Sequence, residues 1–402
     1  MFLHQYHYLK NKEISILIFL FLFSTLIRIP AIFIFGDLTL ENEWKDIVYN
    51  LINKNQLLYK GSPNLFMPPL YAFYLYFFSI FNLEEHRYIQ LILSSQILLS
   101  SISVVVFYKI NKFFFSEKIS FFSSLILTLF PLFVYASTQV SSITLQVFLT
   151  ILFFFYFFQL LKKNNTLIIF LFSLISGLLI LLRGEFILIF LLSNLYLFIF
   201  LKIKLKKIFL ILFIALITIS PYVIRNVLLF DTITITKSFG YNLWKGNNPS
   251  SKVEGSVIHN SNLEEKIQNL PNNKLYAFSL DQIYLDEAIQ NIKEEPKKYT
   301  VLFFKKFVSI ILIDIKSSDP NYYNFFHYFP LLLLGIISFF GIILSNKKSA
   351  KFNYLILIYF TTIIIFSFFF VLPRYKLVIL PLQLIFVNIF FEYINKRFFK
   401  SQ

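Results

Sequence analysis

The stretch ISILIFLFLFSTLIRIPAIFIF, residues 14–35, decides the fold class of this chain. A membrane helix needs about 20 consecutive apolar residues, and this run reaches that length with Arg28 as its single charged residue. It is too long for the apolar region of a signal peptide and lacks a small-residue cleavage site. We therefore expect it to remain in the protein as the first membrane span.

The composition extends this expectation to the whole chain. Of its 402 residues, 57% are hydrophobic, 20% are aromatic and 14% are charged, and the mean hydropathy is +0.70. These values exclude a soluble globule and predict an all-α polytopic membrane protein. The net charge of +16 does not indicate a nucleic-acid partner, because the lysines lie at the ends of apolar runs, where they anchor membrane helices. The absence of cysteine excludes disulfides and thiolate metal ligands.

Lysine-rich joints between the apolar runs set the predicted topology, because the positive-inside rule places such joints in the cytoplasm. The joints are residues 10–12, 109–118, 162–163, 202–207, 347–351 and 396–400. Ten crossings satisfy all of them and leave both termini cytoplasmic. We predict these crossings near residues 14–35, 88–108, 119–138, 141–161, 166–182, 185–201, 208–227, 328–345, 353–372 and 376–395.

Two further apolar stretches, residues 68–81 and 299–315, are left over by this assignment. The first is short, and Lys305 and Lys306 interrupt the second. Counting either one alone as a crossing would invert every later loop. We expect both to lie as helices in the outer membrane interface, and the alternative is that they pair as two short spans.

Arginines concentrate at the predicted outer face, although the chain uses lysine far more often. A guanidinium can bind a phosphate through two parallel hydrogen bonds, whereas an ammonium acts as a point charge, so these arginines suggest a lipid phosphate. The plain alternative is that each one anchors a helix end at the headgroups. Arg374 is the strongest candidate, because neighbouring prolines constrain its short joint. The other predicted phosphate ligands are Arg28, Arg183 and Arg225.

The loop after the first span, residues 36–67, holds the candidates for catalysis. Apolar residues recur at helical spacing over residues 44–52, which predicts an amphipathic helix on the membrane surface. The start of this helix presents Glu41 and Glu43, and Asp37 comes just before it. A carboxylate there could accept a proton from an incoming hydroxyl or amine. The alternative is that acids in a first helical turn favour the helix dipole and stay solvated.

The long outer segment, residues 231–296, is the only stretch that resembles a soluble insert. It is polar and too short to bury a large core, so we expect it to fold over the active site. Its Gly-Asn-Asn-Pro sequence, residues 246–249, reads by default as a turn. Beside it, Trp244 would offer a stacking face to a saccharide, and Asn247 and Asn248 would offer amide hydrogen bonds.

The order of these short motifs is similar to that of glycosyltransferase family 39. This family belongs to the GT-C superfamily of polyprenyl-phosphate-sugar transferases, which includes protein O-mannosyltransferases and the aminoarabinose transferases of lipid A. The resemblance runs from about Ile14 to Phe391. It rests on Glu41-Asn-Glu43-Trp44, Pro68-Pro69-Leu-Tyr71, Phe130-Pro131 followed by Tyr135, Leu181-Leu-Arg183-Gly-Glu185, Arg225-Asn226, Gly240-Tyr-Asn-Leu-Trp244-Lys-Gly246-Asn247-Asn248-Pro249 and Pro373-Arg374-Tyr375.

The resemblance implies a GT-C-type transmembrane helix bundle and an enzyme that transfers a hexose or pentose from a polyprenyl-phosphate donor, with inversion. The acceptor would be a lipid, a glycan or a protein on the extracytoplasmic face of the inner (plasma) membrane. An acid in the first outer loop would act as general base, which maps to Glu41 or Glu43, with Asp37 third. The released lipid phosphate would enter a basic site, and Tyr375 beside Arg374 would contact the sugar or the acceptor.

The chain departs from the family pattern at two places. Leu40 stands where the family usually has the first of two acids, so only Glu41 is retained in register. Ser141 and Ser142 stand where relatives commonly place a further acid. These departures put a two-carboxylate divalent-metal site in doubt. We therefore expect catalysis to rely on one carboxylate with arginines, and we assign no metal ligand and no cofactor.

Two other classes of function stay open at this point: a transporter or flippase of polyprenyl-linked glycans, and a noncatalytic partner of a glycan synthase. A transporter usually places ionisable residues at the membrane midplane and carries inverted repeats. The missing second acid keeps the noncatalytic alternative open. In either case we divide the chain into an N-terminal membrane module (1–230), an outer loop with an interfacial helix (231–327) and the C-terminal spans (328–402).

Overall fold

The computed structural model describes residues 2–40, 42–162, 165–271, 273, 275–314, 317, 324–345 and 349–398, with backbone alone at 2–11, 42–43 and 398. These residues form helices and one short hairpin, which confirms the all-α membrane class. The helices are α1 Phe2–Phe35, α2 Asn42–Lys54, α3 Pro69–Phe78, α4 Glu85–Asn111, α5 Glu117–Leu129, α6 Pro131–Ala136, α7 Ser142–Lys162, α8 Thr166–Leu182, α9 Phe186–Ile199, α10 Leu205–Phe230, α11 Phe239–Gly246, α12 Ser261–Gln268, α13 Tyr276–Glu294, α14 Pro296–Ile311, α15 Phe325–Leu344, α16 Ala350–Phe368 and α17 Lys376–Phe398. The antiparallel hairpin pairs β1 Leu58–Tyr59 with β2 Ser62–Pro63.

Seven helical segments within the described residues are long and apolar enough to cross a membrane, so the chain is a multi-pass membrane protein. They are Lys12–Phe35, Glu85–Asn111, Ser142–Lys162, Leu205–Phe230, Phe325–Leu344, Ala350–Phe368 and Pro373–Arg397. The apolar helices α8 and α9 are shorter. The count of ten crossings therefore stays a prediction.

The predicted span 119–138 is not one continuous helix. It divides into α5 and α6 at Phe130, whose backbone is extended (φ −65°, ψ 113°). Pro131 explains the break, because proline lacks the N–H needed by the helix and disfavours helical geometry at the residue before it. The last turn of α5 therefore exposes carbonyl groups inside the bundle.

The two leftover apolar stretches form the short helices α3 and α14. With 10 residues, α3 is about 15 Å long, roughly half the hydrocarbon thickness of a bilayer. With 16 residues, α14 is about 24 Å long and exposes Val301, Phe304 and Val308 on the face that also carries Lys305. This amphipathic face is compatible with an interfacial position, which stays a prediction.

The bundle packs around two runs of neighbouring helices. In the first, α1 contacts α4, α4 contacts α7, α7 contacts α8 and α8 contacts α10. In the second, α14 contacts α16, and α17 contacts α15, α5 and α7. Glycines permit the closest approaches: a Cβ on Gly341 would lie 1.9 Å from the carbonyl oxygen of Phe386 in α17. The contacts of α17 with α5 and α7 join the two runs into one core.

The bundle has two chemically different ends. At the end that we call the lysine-rich end, Lys12 forms an ion pair with Glu117 at 2.8 Å, and Asn388 Nδ2 donates to Asn111 Oδ1 at 2.8 Å. The opposite end, which we call the loop end, carries the longer connections. They are residues 35–42, 54–69, 136–142, 182–186, 230–239 and 368–376.

A small separate core holds the insert at the loop end. Trp244, Leu263, Tyr284 and Ala288 are buried against one another, and they join α11, α12 and α13. Asp281 accepts a hydrogen bond from the Tyr241 backbone at 3.0 Å, and burial raises the pKa of its carboxyl group. The insert is thus a folded cap of helices.

Candidate active site at the loop end

Asp37 is held at the point where α1 gives way to its loop. Its Oδ2 atom accepts a hydrogen bond from the Val140 backbone N–H at 2.6 Å, and its own N–H donates to the Thr138 carbonyl at 3.2 Å. Gln139 Nε2 donates to the Phe35 carbonyl at 2.5 Å, which satisfies a group that a helix end otherwise leaves open. The half-buried carboxylate is therefore fixed against the turn between α6 and α7.

A chain of side chains fixes the start of α2 beside this turn. The Trp44 ring meets the buried Tyr71 ring edge-on, with centroids 4.8 Å apart. The Tyr71 hydroxyl donates to Gln96 Oε1 at 3.1 Å, and Gln96 Nε2 donates to the Gln139 carbonyl at 2.8 Å. The same network therefore positions α2 and the turn that holds Asp37.

The carboxylates of the two predicted glutamates are outside the described part of the structure. Glu41 lies outside the described residues, and Glu43 is in the first turn of α2, where only the backbone is described. Asp37 is therefore the one of the three predicted bases whose carboxylate contacts are defined.

Arg183 follows the last residue of α8 and turns toward α7. Its Nε donates to Gln146 Oε1 at 3.0 Å, and its Nη2 donates to Ser142 Oγ at 3.2 Å. Its guanidinium carbon lies 5.9 Å from the centroid of the Tyr375 ring, within cation–π range. Arg183 thus connects the start of α7 to the turn before α17.

Arg374 also lies within cation–π range of the Tyr375 ring. It is exposed in the 3-10 turn Pro373–Tyr375, and its guanidinium carbon is 5.8 Å from the Tyr375 centroid. The Tyr375 ring stacks on Phe366 with centroids 5.1 Å apart. The structure therefore brings Arg183 to the turn that carries Arg374 and Tyr375, although the sequence places Arg183 in a different loop.

The buried side chain of Lys376 anchors this turn to the end of α14. Its Nζ donates to the carbonyls of Ser309 at 2.6 Å and Leu312 at 2.5 Å, at the end of α14. These carbonyls are among those that a helix end leaves unsatisfied. The contact ties the Arg374 turn to α14.

One short segment links the carboxylate to the arginines. Val140 donates to Asp37 and Ser142 accepts from Arg183, and these two residues are separated only by Ser141. Because neighbouring Cα atoms are about 3.8 Å apart, the two anchoring points lie within roughly 7 Å of each other. The side chains of Asp37 and Arg183 are therefore anchored to the same short segment.

A cleft opens beside Arg183 between α7, α9, α16 and α17. It is shallow, with about 280 Å³ of empty space when the open solvent at its mouth is included. Its polar lining consists of Gln146, Arg183, Glu185 and Thr362, and its apolar lining consists of Phe186, Ile189, Ile365, Phe366 and Val378. The cleft thus combines charged groups at its mouth with an apolar wall made by side chains of α9, α16 and α17.

The predicted sugar-binding residues of the insert have other partners. Trp244 is 1% exposed, and its ring packs against Tyr284 and His259. Asn247 Nδ2 donates to the Phe368 carbonyl at 2.8 Å, and Asn248 Nδ2 donates to the Ser256 carbonyl at 2.8 Å. The expected saccharide contacts are therefore corrected, because these side chains are used inside the protein, as buried polar groups require.

These buried contacts dock the insert beside the Arg374 turn. Lys306 is fully buried and donates to the Gly246 carbonyl at 2.7 Å, and burial lowers the pKa of its amine to about 7. The Val371 backbone N–H donates to the Val253 carbonyl at 2.9 Å. The insert thus braces the segment that leads from α16 to Arg374.

Replacing Gly246 with Ala is expected to undock this loop. The added Cβ would lie 1.9 Å from the Phe369 carbonyl oxygen, so the backbone must shift. Overpacking of this kind costs about 1–3 kcal/mol. We expect a lower unfolding temperature in detergent and faster proteolysis of the insert. Gly184→Ala is the matched control, because its Cβ would lie 3.7 Å from Thr236 Oγ1. Equal stability of the two variants would contradict the docking role.

Two of the predicted phosphate ligands have structural roles instead. Arg225 donates to the carbonyls of Asn64 at 2.9 Å and Leu57 at 3.2 Å, which holds the hairpin loop against α10. Arg28 is fully buried and donates to Ser100 Oγ at 2.8 Å and to the Thr128 carbonyl at 3.3 Å. That carbonyl belongs to the end of α5, which the proline break leaves open. The phosphate-binding prediction is therefore restricted to Arg183 and Arg374.

The described residues do not fit a metal site of the carboxylate type. No group of three or more His, Asp or Glu side chains among them is close enough to hold an ion. The turn between α6 and α7 carries amide and hydroxyl side chains rather than carboxylates: Ser137, Thr138, Gln139, Ser141 and Ser142. We therefore derive no catalytic step through a metal.

Comparisons with known proteins find one family model and several solved structures that are similar to this chain. Residues 66–224 match the family Dolichyl-phosphate-mannose-protein mannosyltransferase. The fold matches that of the Archaeoglobus fulgidus oligosaccharyltransferase AglB, in a complex with an inhibitory peptide and a dolichol-phosphate, with a TM-score of 0.56, 12% identity and coverage of 96% of this chain and 51% of that one. Over residues 66–224 the chain is similar to this family, and its fold is similar to that of the oligosaccharyltransferase, in agreement with the resemblance carried by its motifs.

Two further solved structures align with most of this chain. AglB tethered to an acceptor peptide containing the NVT sequon gives a TM-score of 0.57 at 11% identity, over 96% of this chain and 50% of that one. ArnT from Cupriavidus metallidurans, bound to undecaprenyl phosphate, gives 0.45 at 10% identity, over 94% and 78%. No curated protein matches the sequence. The chain spans about half the length of the oligosaccharyltransferase that it matches.

Proposed function

We propose that this protein transfers a sugar from a polyprenyl-phosphate donor to an acceptor at the loop end, with inversion at the anomeric carbon. The observation that carries the proposal is the segment between Val140 and Ser142, which anchors Asp37 at one position and Arg183 two residues further on. Tyr375 adds Arg374 to the same site. This arrangement supports a site in which one substrate meets both a base and a phosphate-binding pair.

The cleft beside Arg183 suits the donor in both of its parts. A phosphate at the mouth would meet the guanidinium groups of Arg183 and Arg374, whose planar forks match its oxygens. A polyprenyl chain would lie along the apolar wall formed by α9, α16 and α17. The matching oligosaccharyltransferase has been seen with a dolichol-phosphate, which supports a lipid phosphate as the donor carrier.

The reaction then needs one proton transfer and one displacement. Asp37 takes the proton from an acceptor hydroxyl or amine, and the acceptor atom attacks the anomeric carbon. The bond from that carbon to the phosphate oxygen breaks, and the phosphate leaves with the electron pair. Arg183 and Arg374 stabilise the negative charge that develops on it. Glu41 and Glu43 are the alternative bases.

The proposed orientation in the membrane follows from the chemical difference between the two ends of the bundle. The lysine-rich end would face the cytoplasm together with both termini, and the loop end would face outward from the plasma membrane. We expect a cysteine at exposed Ser250 in the insert to react with an impermeant thiol reagent on intact cells. A cysteine at exposed Ser116, near the lysine-rich end, should react only after permeabilisation. The cysteine-free background makes the assay clean, and the reverse pattern would invert the topology.

The experiment that tests the reaction uses the purified protein with polyprenyl-phosphate sugars extracted from the source membranes. We expect release of polyprenyl monophosphate that depends on the protein, together with a sugar added to an acceptor from the same extract, both detected by mass spectrometry. If neither product appears with any donor fraction while the protein stays folded, the proposal fails.

A further inference from the structure

A second cleft lies at the lysine-rich end, away from the proposed active site. It is a shallow cleft between α7, α8 and the joint that leads from α9 to α10, with about 290 Å³ of empty space when the open solvent at its mouth is included. Its apolar lining consists of Leu160, Ile169, Leu197, Ile203 and Ile211. Asn165 and Lys207 complete the lining. The cleft is therefore apolar inside, with an amide and an amine among its lining groups.

The polar and apolar linings lie at different depths. Asn165 precedes α8 and Lys207 is in the first turn of α10, so both sit at the helix ends. Ile169 and Ile211 each lie four residues further along the same helices, about 6 Å deeper at 1.5 Å per residue. Lys202 has a positive φ of 51°, which turns the joint back toward the bundle. The cleft thus runs from a polar mouth at the interface to an apolar interior.

The charge around this mouth has one sign. The described lysines of the two joints beside it are Lys162, Lys202, Lys204, Lys206 and Lys207. Between Glu117 and Asp231 the sequence contains a single acid, Glu185, which precedes α9 at the loop end. The lysines next to the cleft therefore have no acid in their own joints, and an anionic partner complements them.

The geometry points to a binding site for one anionic glycerophospholipid, with its phosphate at Asn165 and Lys207 and an acyl chain in the apolar interior. A headgroup at the interface with a chain one helical turn deeper matches the depth profile of the cleft. Basic clefts between membrane helices are suited to anionic headgroups, whereas a soluble anion would leave the apolar part unused. This site is independent of the transfer reaction, since it lies at the opposite end of the bundle.

Native mass spectrometry of the purified protein in detergent tests the site. The protein is mixed with equimolar phosphatidylglycerol and phosphatidylcholine. We expect it to retain one molecule of phosphatidylglycerol more often than one molecule of phosphatidylcholine. Lys204→Gln with Lys207→Gln should weaken this retention roughly 30-fold, from the usual contribution of two juxtamembrane lysines. Lys109→Gln with Lys118→Gln is the charge-matched control at the same end, and it should retain the lipid. If the double variant does not purify, Lys207→Gln alone gives the same comparison with a smaller loss.

A second variant separates a lipid from a soluble anion. Ile169→Trp leaves the charge unchanged and fills the apolar interior, so it should also reduce phosphatidylglycerol retention. Inorganic phosphate added in excess should not displace the lipid. Equal retention of both lipids, equal losses in the two lysine pairs, full retention by Ile169→Trp, or displacement by inorganic phosphate would each overturn the proposal.

Discussion

Replacing Asp37 with Asn is expected to reduce sugar transfer by roughly 10²–10⁴-fold, the usual contribution of a positioned general base. Asn keeps an oxygen that can accept the hydrogen bond from the Val140 backbone, so the turn between α6 and α7 should stay in place. The amide, however, cannot take a proton from the acceptor. The rate of transfer from a polyprenyl-phosphate sugar, at matched expression and unfolding temperature, measures the effect.

Two comparisons make this prediction specific. Glu84→Gln changes an exposed acid at the loop end, just before α4, and it should transfer at the rate of the unmodified protein. The double variant Glu41→Gln with Glu43→Gln addresses the alternative bases. Loss of transfer in that double variant, together with full transfer by Asp37→Asn, would move the base from Asp37 to α2.

Replacing Arg374 with Lys is expected to slow transfer although the net charge is unchanged. A guanidinium can hold two phosphate oxygens at once, and the leaving phosphate gains negative charge as the sugar departs. Losing one charge-assisted hydrogen bond costs about 1–3 kcal/mol, which corresponds to roughly 5- to 150-fold in rate. Steady-state transfer rates of the purified variants give this number directly.

The control for this substitution is an exposed arginine outside the proposed site. Arg87 is exposed near the start of α4, and Arg87→Lys should leave transfer unchanged. If Arg374→Lys transfers within about twofold of the unmodified protein, Arg374 is an anchor at the headgroups, and Arg183 would be the remaining phosphate ligand.

The sequence predicts the class and several local features because they depend on local pattern. The apolar runs give the membrane helices, and the 3.6-residue spacing around Trp44 gives the amphipathic helix, which the structure confirms as α2 from Asn42 to Lys54. The break at Pro131 could have been predicted, because proline ends a helix at the residue before it. These features need no knowledge of distant contacts.

The partners of polar and aromatic side chains depend on tertiary packing, which is why several site predictions needed correction. Trp244 reads as a surface ring in a polar loop, yet Tyr284, 40 positions further along the chain, covers it. The guanidinium of Arg225 has the same chemistry as that of Arg183, but its partners are backbone carbonyls of the hairpin loop. Neither arrangement leaves a local pattern in the sequence.

Three glutamines of the site were missed although a signal for them exists. Gln96 and Gln146 interrupt apolar helices and are buried, and Gln139 follows the Phe-Pro motif that begins α6. An amide inside a membrane helix needs a partner, so each such residue marks a contact between elements. Here they join Tyr71 to the Asp37 turn and Arg183 to α7.

Binding of a polyprenyl monophosphate, the product of the proposed reaction, tests most directly whether Arg183 and Arg374 form one phosphate site. Its affinity for the purified protein can be measured by isothermal titration calorimetry in detergent. We expect the unmodified protein and Arg87→Lys to bind it equally, and Arg183→Lys and Arg374→Lys each to bind it at least about fivefold more weakly. Equal affinity in all four proteins, or no binding by the unmodified protein, would contradict the account.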